Sequence, residues 1–348
     1  MKVKEHTGFI NKYRYSISIL KKVGQLREGP VIMVLVGLIA VSSLISPHFF
    51  SKVNIRNILT QVAIIAILAE GEAYVILTGG IDLSPGSVLS LVGVLTAGVM
   101  KWTNLPVCIA ILLGLAVGTL CGLTNGLMVT KVKIPSFIAT LAMMAAAHGL
   151  ALIFAKGVPI STFPPSFRII ARYVGPISVL TIIMIAMLVI GQLILSFTRT
   201  GQYIHATGGN EEATRYLGVN VDKVKLFAFS FAGFCAAVGG IMMNARLDSA
   251  YPNVGQGYEL DAIGSAVLGG VSFTGGIGSV GGAFMGALVI TTLGNLLNLL
   301  RVSAFYQYVV KGIILAVAAL SLSRGVKYAK YLDNEGNFTL TEISSLLL

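Results

Sequence analysis

Residues 179–225 read VLTIIMIAMLVIGQLILSF and then TRTGQYIHATGGNEEATRYLGVNVDKVK. The first part, 179–197, carries no charge, and a helix of that length is long enough to cross the roughly 30 Å of hydrocarbon in a bilayer. The second part, 198–225, is here called the charged island, because it separates this apolar segment from the next one. An apolar segment of this length followed by the charged island predicts an α-helical membrane protein with a structured segment outside the bilayer.

Within the charged island, residues at about 210–218 carry the start and stop signals of a short helix. Asn210 is a suitable N-terminal cap, and Glu211 and Glu212 place negative charge in the first turn, where the helix dipole favours it. Gly218 supplies the C-terminal stop. Three side chains at i, i+3 and i+4 share one face: Ala213, Tyr216 and Leu217. Because such a helix has nothing to pack against in lipid, we predict that it docks into a groove on another protein.

The composition excludes an ordinary soluble domain. Only 11% of the residues are charged, against about 25% in soluble domains, and the mean hydropathy is +0.85. A large soluble helical core would need far more polar surface. The composition therefore predicts an all-α polytopic membrane protein.

The apolar runs predict about ten transmembrane segments with both termini in the cytoplasm. The segments are 30–45, 58–77, 83–100, 105–128, 134–154, 179–197, 226–243, 260–271, 280–299 and 305–322. The eighth segment is too short to cross the membrane alone. The second and third segments could alternatively form one re-entrant unit. The resulting divisions are a cytoplasmic N-terminal segment (1–29), a transmembrane domain (30–324) and a cytoplasmic C-terminal tail (325–348).

The placement of basic residues supports this threading. Of the 25 Lys and Arg, 16 fall in four segments, 1–30, 131–133, 198–225 and 324–330. An even number of predicted spans separates these segments, so all four lie on one side of the membrane. Lys and Arg favour the cytoplasmic side. The net charge of +11 therefore indicates topology, and no nucleic-acid partner is expected.

Two glycine-rich breaks interrupt the apolar segments, LTGGIDLSPG at 77–86 and LGGVSFTGGIGSVGG at 268–282, and both contain Thr-Gly-Gly-Ile. In transporters, broken helices at related positions flank the translocation path. The predicted path residues are Gly79, Gly80, Asp82, Ser84, Gly275, Gly276, Gly278 and Gly281. The alternative is that the glycines only let helices approach closely. A second echo, Val-x-Lys-Val-Lys at 129–133 and 221–225, comes in the opposite order, so no simple internal repeat is predicted.

Three acidic residues, Glu70, Glu72 and Asp82, cluster near the first break, and acids at membrane depth are costly and often functional. One interpretation is a proton relay or cation site. For Asp82 a structural role is favoured, because Asp82 or Ser84 can cap a helix that starts at Pro85. Glu70 and Glu72 are expected near the cytoplasmic end of their segment, where water can reach them.

The sequence carries no enzyme signature. It contains no Gly-Lys dipeptide, so the phosphate-binding GxxxxGK[ST] motif is absent, and the four His and three Cys show no metal-ligand spacing. We therefore predict a non-enzyme that itself binds no cofactor or metal. Any energy for active transport has to come from another chain.

Three stretches resemble the membrane permeases of monosaccharide ABC importers of the ribose type. GGIDLSPGS at 79–87 is similar to a signature of that family, and GYELDAI at 257–263 resembles a second block. GNEEATR at 209–215, with Gly218, resembles the cytoplasmic coupling helix that docks on the ATPase subunit. Thr214 and Leu217 depart from the family's usual small residues, which leaves the identity of the ATPase partner open.

The resemblance implies a subunit of a bacterial inner-membrane importer. Its implied partners are a second permease copy or a paralogue, an ABC ATPase subunit that holds ATP and Mg²⁺, and a sugar-binding protein. The residues implied in ATPase coupling are Asn210, Glu211, Glu212, Ala213, Arg215, Tyr216, Leu217 and Gly218.

Which sugar is carried stays open. Ribose leads by resemblance alone, and xylose, galactose, inositol and signalling furanoses follow. The alternative functions are an ion-coupled secondary transporter that uses Glu70, Glu72 or Asp82, and a passive channel or scaffold. The last of these leaves the capped helix unexplained.

Overall fold

All the long secondary-structure elements of the described residues are α-helices. The computed structural model describes residues 28–303, 305–313 and 316. The helices within 28–303 are α1 (Gly29–Ile45), α2 (Lys52–Leu77), α3 (Pro85–Trp102), α4 (Val107–Thr130), α5 (Ser136–Ala155), α6 (Pro165–Arg168), α7 (Val179–Phe197), α8 (Arg199–Gly209), α9 (Glu211–Tyr216), α10 (Val221–Leu247), α11 (Tyr258–Leu268) and α12 (Val280–Leu299). Residues 305–313 are also helical and belong to a separate unit.

Two short antiparallel strand pairings accompany the helices within residues 28–303. Strand β1 (Ile160–Ser161) pairs with β4 (Ser249–Ala250), and β2 (Tyr173–Val174) pairs with β3 (Ile177–Ser178). A single 3₁₀ turn, Ile169–Ala171, follows α6.

Seven helices of the described residues are long and apolar enough to cross a membrane: α2, α3, α4, α5, α7, α10 and α12. Each corresponds to one of the ten predicted segments. Helix α1 has 17 residues and α11 only 11, a length of about 16 Å at 1.5 Å per residue. The tenth predicted segment, 305–322, lies largely outside the described residues, as do the terminal divisions 1–29 and 325–348.

The second and third predicted segments form two separate helices of 26 and 18 residues, each long and apolar enough to cross a membrane by itself. Helix α2 begins at Lys52 instead of 58, because Ser51 caps it by accepting a hydrogen bond from the Asn54 amide at 3.3 Å. Its length of about 39 Å exceeds the hydrocarbon thickness, so hydropathy alone misplaces its start.

Helix α2 forms the centre of the bundle, and nearly every residue from Val62 to Leu77 is buried. Only about a fifth of the residues in the apolar stretches of α4 and α5 are buried, as expected for helices that face lipid. Close packing explains part of the glycine content. At Gly122 of α4, a methyl group would overlap the Phe229 carbonyl oxygen of α10, so the two backbones touch there.

The bundle has two chemically distinct ends. At one end, here called the α9 end, Lys131 after α4 pairs with Asp222 at the start of α10. At the opposite end, Lys101 of α3 donates a hydrogen bond to the Ser161 carbonyl at 2.9 Å. The alternation of ends along the chain agrees with the predicted threading of these segments.

Candidate functional site at the α9 end

The charged island folds into three helical pieces, α8, α9 and the first turn of α10, although the sequence predicted only one short helix there. Helix α9 covers the predicted one. The Asn210 side chain accepts a hydrogen bond from the Ala213 amide at 2.9 Å. At the other end, Gly218 adopts a left-handed φ of +84° and its amide donates to the Arg215 carbonyl at 3.0 Å. Both terminating residues were assigned correctly, since capping depends on neighbours within a few positions.

The two faces of α9 differ in exposure. Thr214 is buried and its hydroxyl donates to the Asn210 carbonyl at 2.7 Å. Tyr216 and Leu217 are 89% and 84% exposed, and Ala213 is exposed beside them. Large apolar side chains this exposed at the tip of a capped helix indicate an interaction surface.

Salt bridges hold α9 in place. Lys225 Nζ contacts Glu211 Oε2 at 2.6 Å, and Arg215 Nη2 contacts Glu211 Oε1 at 3.0 Å. Arg215 also reaches Asp222 Oδ1 at 2.7 Å. Because Arg215 contacts two carboxylates, it ties α9 to the first turn of α10.

Asp222 extends these contacts to the connection between α4 and α5. Lys131 and Lys133 lie 3.7 and 3.6 Å from its carboxylate oxygens. The whole set is here called the ion cluster: Lys131, Lys133, Glu211, Arg215, Asp222 and Lys225. Its four basic and two acidic side chains leave a positive excess at this end of the bundle. Exposed pairs contribute only about 0.2–1 kcal/mol each, so the cluster mainly fixes the orientation of α9.

The protonation state of Glu211 follows from this environment. Burial of the carboxylate would raise the pKa of Glu211, but the hydrogen bonds from Lys225 and Arg215 outweigh it and lower the pKa below its ordinary value of 4.5. Glu211 is therefore ionised at neutral pH, as both of its salt bridges require.

A cavity of about 260 Å³ separates the ion cluster from the first glycine break. Its lining includes Gly79 and Gly80 of the first break together with Lys133, Arg215 and Lys225 of the ion cluster. The first break therefore opens directly towards the surroundings of α9.

The two glycine breaks meet at the same end. The Gly276 amide donates a hydrogen bond to the Leu77 carbonyl at 3.0 Å. Gly278 packs against the Leu77 side chain, whereas Gly281 lies apart, with its amide donating to Gln192 Oε1 at 3.1 Å. Of the predicted path residues, the structure thus brings Gly79, Gly80, Gly275, Gly276 and Gly278 together at the end of α2.

Asp82 and Ser84 form a local turn. Asp82 Oδ1 accepts hydrogen bonds from the Ser84 amide at 2.8 Å and the Ser84 hydroxyl at 2.6 Å. Helix α3 does start at Pro85, but neither side chain caps it. The capping prediction is wrong because the carboxylate of Asp82 bonds within its own turn before the helix begins.

Glu70 and Glu72 are completely buried, so the expectation that water reaches them is wrong. Glu72 Oε1 accepts a hydrogen bond from the Asp82 amide at 3.2 Å. The Glu70 carboxylate packs against Gly191 of α7, and neither of its oxygens has a hydrogen-bonding partner among the described residues. Packing of α7 on α2 at Gly191 places Glu70 out of reach of solvent, and Glu72 is buried beside the Asp82 turn.

A second junction of broken helices lies deeper in the bundle. Helix α11 starts inside it, where the Gly255 amide donates to Ser90 Oγ of α3 at 2.9 Å. Glu259 also lies there, because a methyl group on Gly86 would overlap its carboxylate. The start of a short helix beside the start of α3 is the arrangement that broken helices adopt in transporters. Neither Ser90 nor Gly255 is among the residues that the sequence predicted for a site.

Sequence reasoning also missed the ion-cluster residues Asp222, Lys131 and Lys133. The signal was present in the Val-x-Lys-Val-Lys echo, because both copies contribute lysines to the cluster. Their role became visible only when α4 and α10 were seen to place them together.

The profile of a protein family described as "Branched-chain amino acid transport system / permease component" matches residues 54–319, which include every element from α3 to α12. The chain belongs to this permease family. It is therefore a multi-pass membrane permease and not an enzyme.

Curated relatives extend over most of the chain. The ribose import permease protein of Haemophilus influenzae is 44% identical over 301 residues, which are 85% of this chain and 93% of the relative. The ribose import permease protein of Bacillus subtilis is 44% identical over 286 residues, 81% and 88% of the two chains. The galactose/methyl galactoside import permease protein of Escherichia coli is 35% identical over 326 residues, 88% and 96% of the two chains.

Proposed function

We propose that this chain is the transmembrane subunit of an ATP-driven importer of a monosaccharide, with ribose as the first candidate. The substrate class rests on the relatives named ribose import permease, which are 44% identical to this chain, against 35% for the galactose/methyl galactoside relative. The observation that carries the ATP-driven part is α9, a capped helix that presents exposed Tyr216 and Leu217 in a permease whose sequence has no nucleotide-binding motif.

In this proposal α9 is the coupling helix. Tyr216 and Leu217 enter a groove on an ABC ATPase subunit, with burial of each such side chain contributing about 1.5–3 kcal/mol. Asn210 and Gly218 define the ends of the helix, and Ala213 lies against the groove wall. Glu212 stays in the first turn, while Glu211 and Arg215 connect the helix to the ion cluster. ATP and Mg²⁺ are bound by the ATPase and not by this chain.

The α9 end then faces the cytoplasm, as its basic residues favour. Both termini are cytoplasmic, and the membrane is the inner membrane of a bacterium. A sugar-binding protein delivers substrate at the opposite end, and a second permease copy or a paralogue completes the transporter.

The sugar passes through the region of the glycine breaks, Gly79–Ser84 and 275–281, and the deeper junction at Ser90 and Gly255. A polar path is needed because each sugar hydroxyl left unpaired in hydrocarbon costs about 2–7 kcal/mol. Backbone groups freed at broken helices supply such partners.

The test measures ATP hydrolysis by this chain reconstituted in nanodiscs with its candidate ATPase, with and without a sugar-loaded binding protein. We expect stimulation that depends on the sugar and disappears in Arg215→Glu, because the reversed charge faces Glu211 and Asp222. Lys223→Glu is the matched control, since Lys223 is exposed in the same island and lies outside the ion cluster. Absence of any ATPase association, together with uptake driven by an ion gradient, would overturn the proposal.

A further inference from the structure

Helix α8 contacts both glycine-rich breaks at once, at Leu77 of the first and at Gly275 and Gly276 of the second. His205 Nδ1 lies 2.9 Å from the Gly276 carbonyl oxygen, so the ring donates a hydrogen bond to the second motif. The Gly276 amide in turn donates to the Leu77 carbonyl, which directly precedes the first motif. The three segments therefore form one hydrogen-bonded junction.

Gly208 occupies the centre of this junction. A methyl group at Gly208 would overlap both the Leu77 carbonyl oxygen and the Gly276 amide nitrogen. The same contact is visible from the other side, where a Cβ on Gly275 would lie 2.8 Å from the Gly208 Cα. Backbone therefore touches backbone at this point, and only glycine fits.

Its neighbour Gly209 provides a sharp contrast. A methyl group at Gly209 would have no heavy atom within 4 Å. The two glycines are adjacent in sequence and lie in the last turn of the same helix. Their difference arises only from the side of α8 that faces the glycine breaks.

The junction is mechanically close to the interaction surface on α9. Asn210 is the only residue between α8 and α9, and it serves both helices. Its amide donates to the Ala206 carbonyl at 3.0 Å, while its side chain caps α9. Because only Gly209 separates Gly208 from the cap Asn210, a movement of α9 displaces Gly208 as well.

We propose that Gly208 is a positioning residue that clamps the two Thr-Gly-Gly-Ile breaks together and makes them move as one unit with α9. This proposal rests on the proposed function in one respect, namely that an ATPase subunit drives the movement of α9. Through it, a single stroke reaches the ends of α2 and α11 simultaneously.

The experiment compares Gly208→Ala with Gly209→Ala in the complete transporter in nanodiscs. Both changes add one methyl group to the same helical turn, so the gain in helix propensity cancels in the comparison. We expect Gly208→Ala to retain the ATPase and its basal hydrolysis but to lower the sugar transported per ATP at least about tenfold, as overpacking of a close contact predicts. We expect Gly209→Ala to stay within about twofold of wild type, the range usual for open surface positions.

His205 gives a second, milder perturbation of the same junction. His205→Ala removes the donor to Gly276 and is expected to lower the sugar transported per ATP about two- to tenfold, the fold-change of one hydrogen bond. His205→Asn places an amide N–H near the position of Nδ1 and is expected to restore it. Rescue by Asn distinguishes positioning of the break from general stability.

A spin-label distance between Ile81→Cys and Thr274→Cys, with the three native cysteines replaced, tests the clamp without any ATPase. A distance that lengthens or broadens in Gly208→Ala and not in Gly209→Ala supports the proposal. Equal distances in both variants, or equal transport per ATP, overturn it. Failure of the wild-type chain to associate with an ATPase sinks the proposed function instead, and the spin-label comparison still decides the clamp.

Discussion

Truncation of Leu217 tests the interaction surface on α9. In the free chain Leu217 is 84% exposed, so Leu217→Ala removes almost no packing and leaves the free energy of unfolding within about 0.5 kcal/mol. In a docked complex the same change loses three apolar carbons, each about 0.8 kcal/mol on burial. Scaled by the exposed fraction, the loss is about 2 kcal/mol, which raises the Kd for the ATPase about 30-fold.

The assay is biolayer interferometry of the ATPase on nanodiscs that contain wild type or Leu217→Ala, with the thermal unfolding midpoint measured in parallel. Val158→Ala is the control, because Val158 is an exposed apolar residue at the opposite end of the bundle. We expect Val158→Ala to leave the Kd unchanged. An unchanged Kd in Leu217→Ala, or a fall in its unfolding midpoint that accounts for the weaker binding, would refute the reasoning.

Three further predictions concern the structure around this surface. Asp222→Asn weakens the contacts of Arg215, Lys131 and Lys133, and we expect sugar uptake to fall several-fold. Association with the ATPase should persist, because exposed ion pairs contribute only about 0.2–1 kcal/mol each. A parallel loss of ATPase association would contradict this prediction. Because the pKa of Glu211 is lowered, its ionised carboxylate stabilises the fold above the ordinary carboxyl pKa of 4.5, and this stability is lost as the pH falls through the lower, folded-state pKa. The difference in unfolding midpoint between wild type and Glu211→Gln should therefore be constant above pH 4.5 and vanish only in stronger acid. A difference that already vanishes near neutral pH would contradict this prediction. Gly122→Ala should destabilise the chain by about 1–3 kcal/mol, because the added methyl group separates α4 from α10. Gly149→Ala on α5, where a methyl group meets nothing within 4 Å, should be neutral or stabilise the chain by up to about 1 kcal/mol. Thermal unfolding in detergent distinguishes the two variants, and equal midpoints would show that the close approach of α4 and α10 does not affect stability.

Sequence reasoning succeeded where the determining interactions are local. The caps of α9 at Asn210 and Gly218 involve neighbours a few residues away, and the seven long helices follow from continuous apolar runs. It failed for the cap of α3 and for the water access of Glu70, because the first depends on the conformation of a loop and the second on packing between distant helices.

The amino-acid sequence by itself determined that the chain is a helical membrane protein with a short capped helix in a basic connection, because hydropathy and capping are read along the chain. Only the tertiary structure decided which of two adjacent glycines is indispensable. Gly208 and Gly209 have the same chemistry and lie in the same helix, but an added methyl group would overlap Leu77 and Gly276 at Gly208 and would meet no heavy atom within 4 Å at Gly209. It likewise decided that Lys131 and Asp222, far apart along the chain, share one ion cluster. Such contacts depend on which faces of the helices pack together, and a linear pattern of residue types does not specify that.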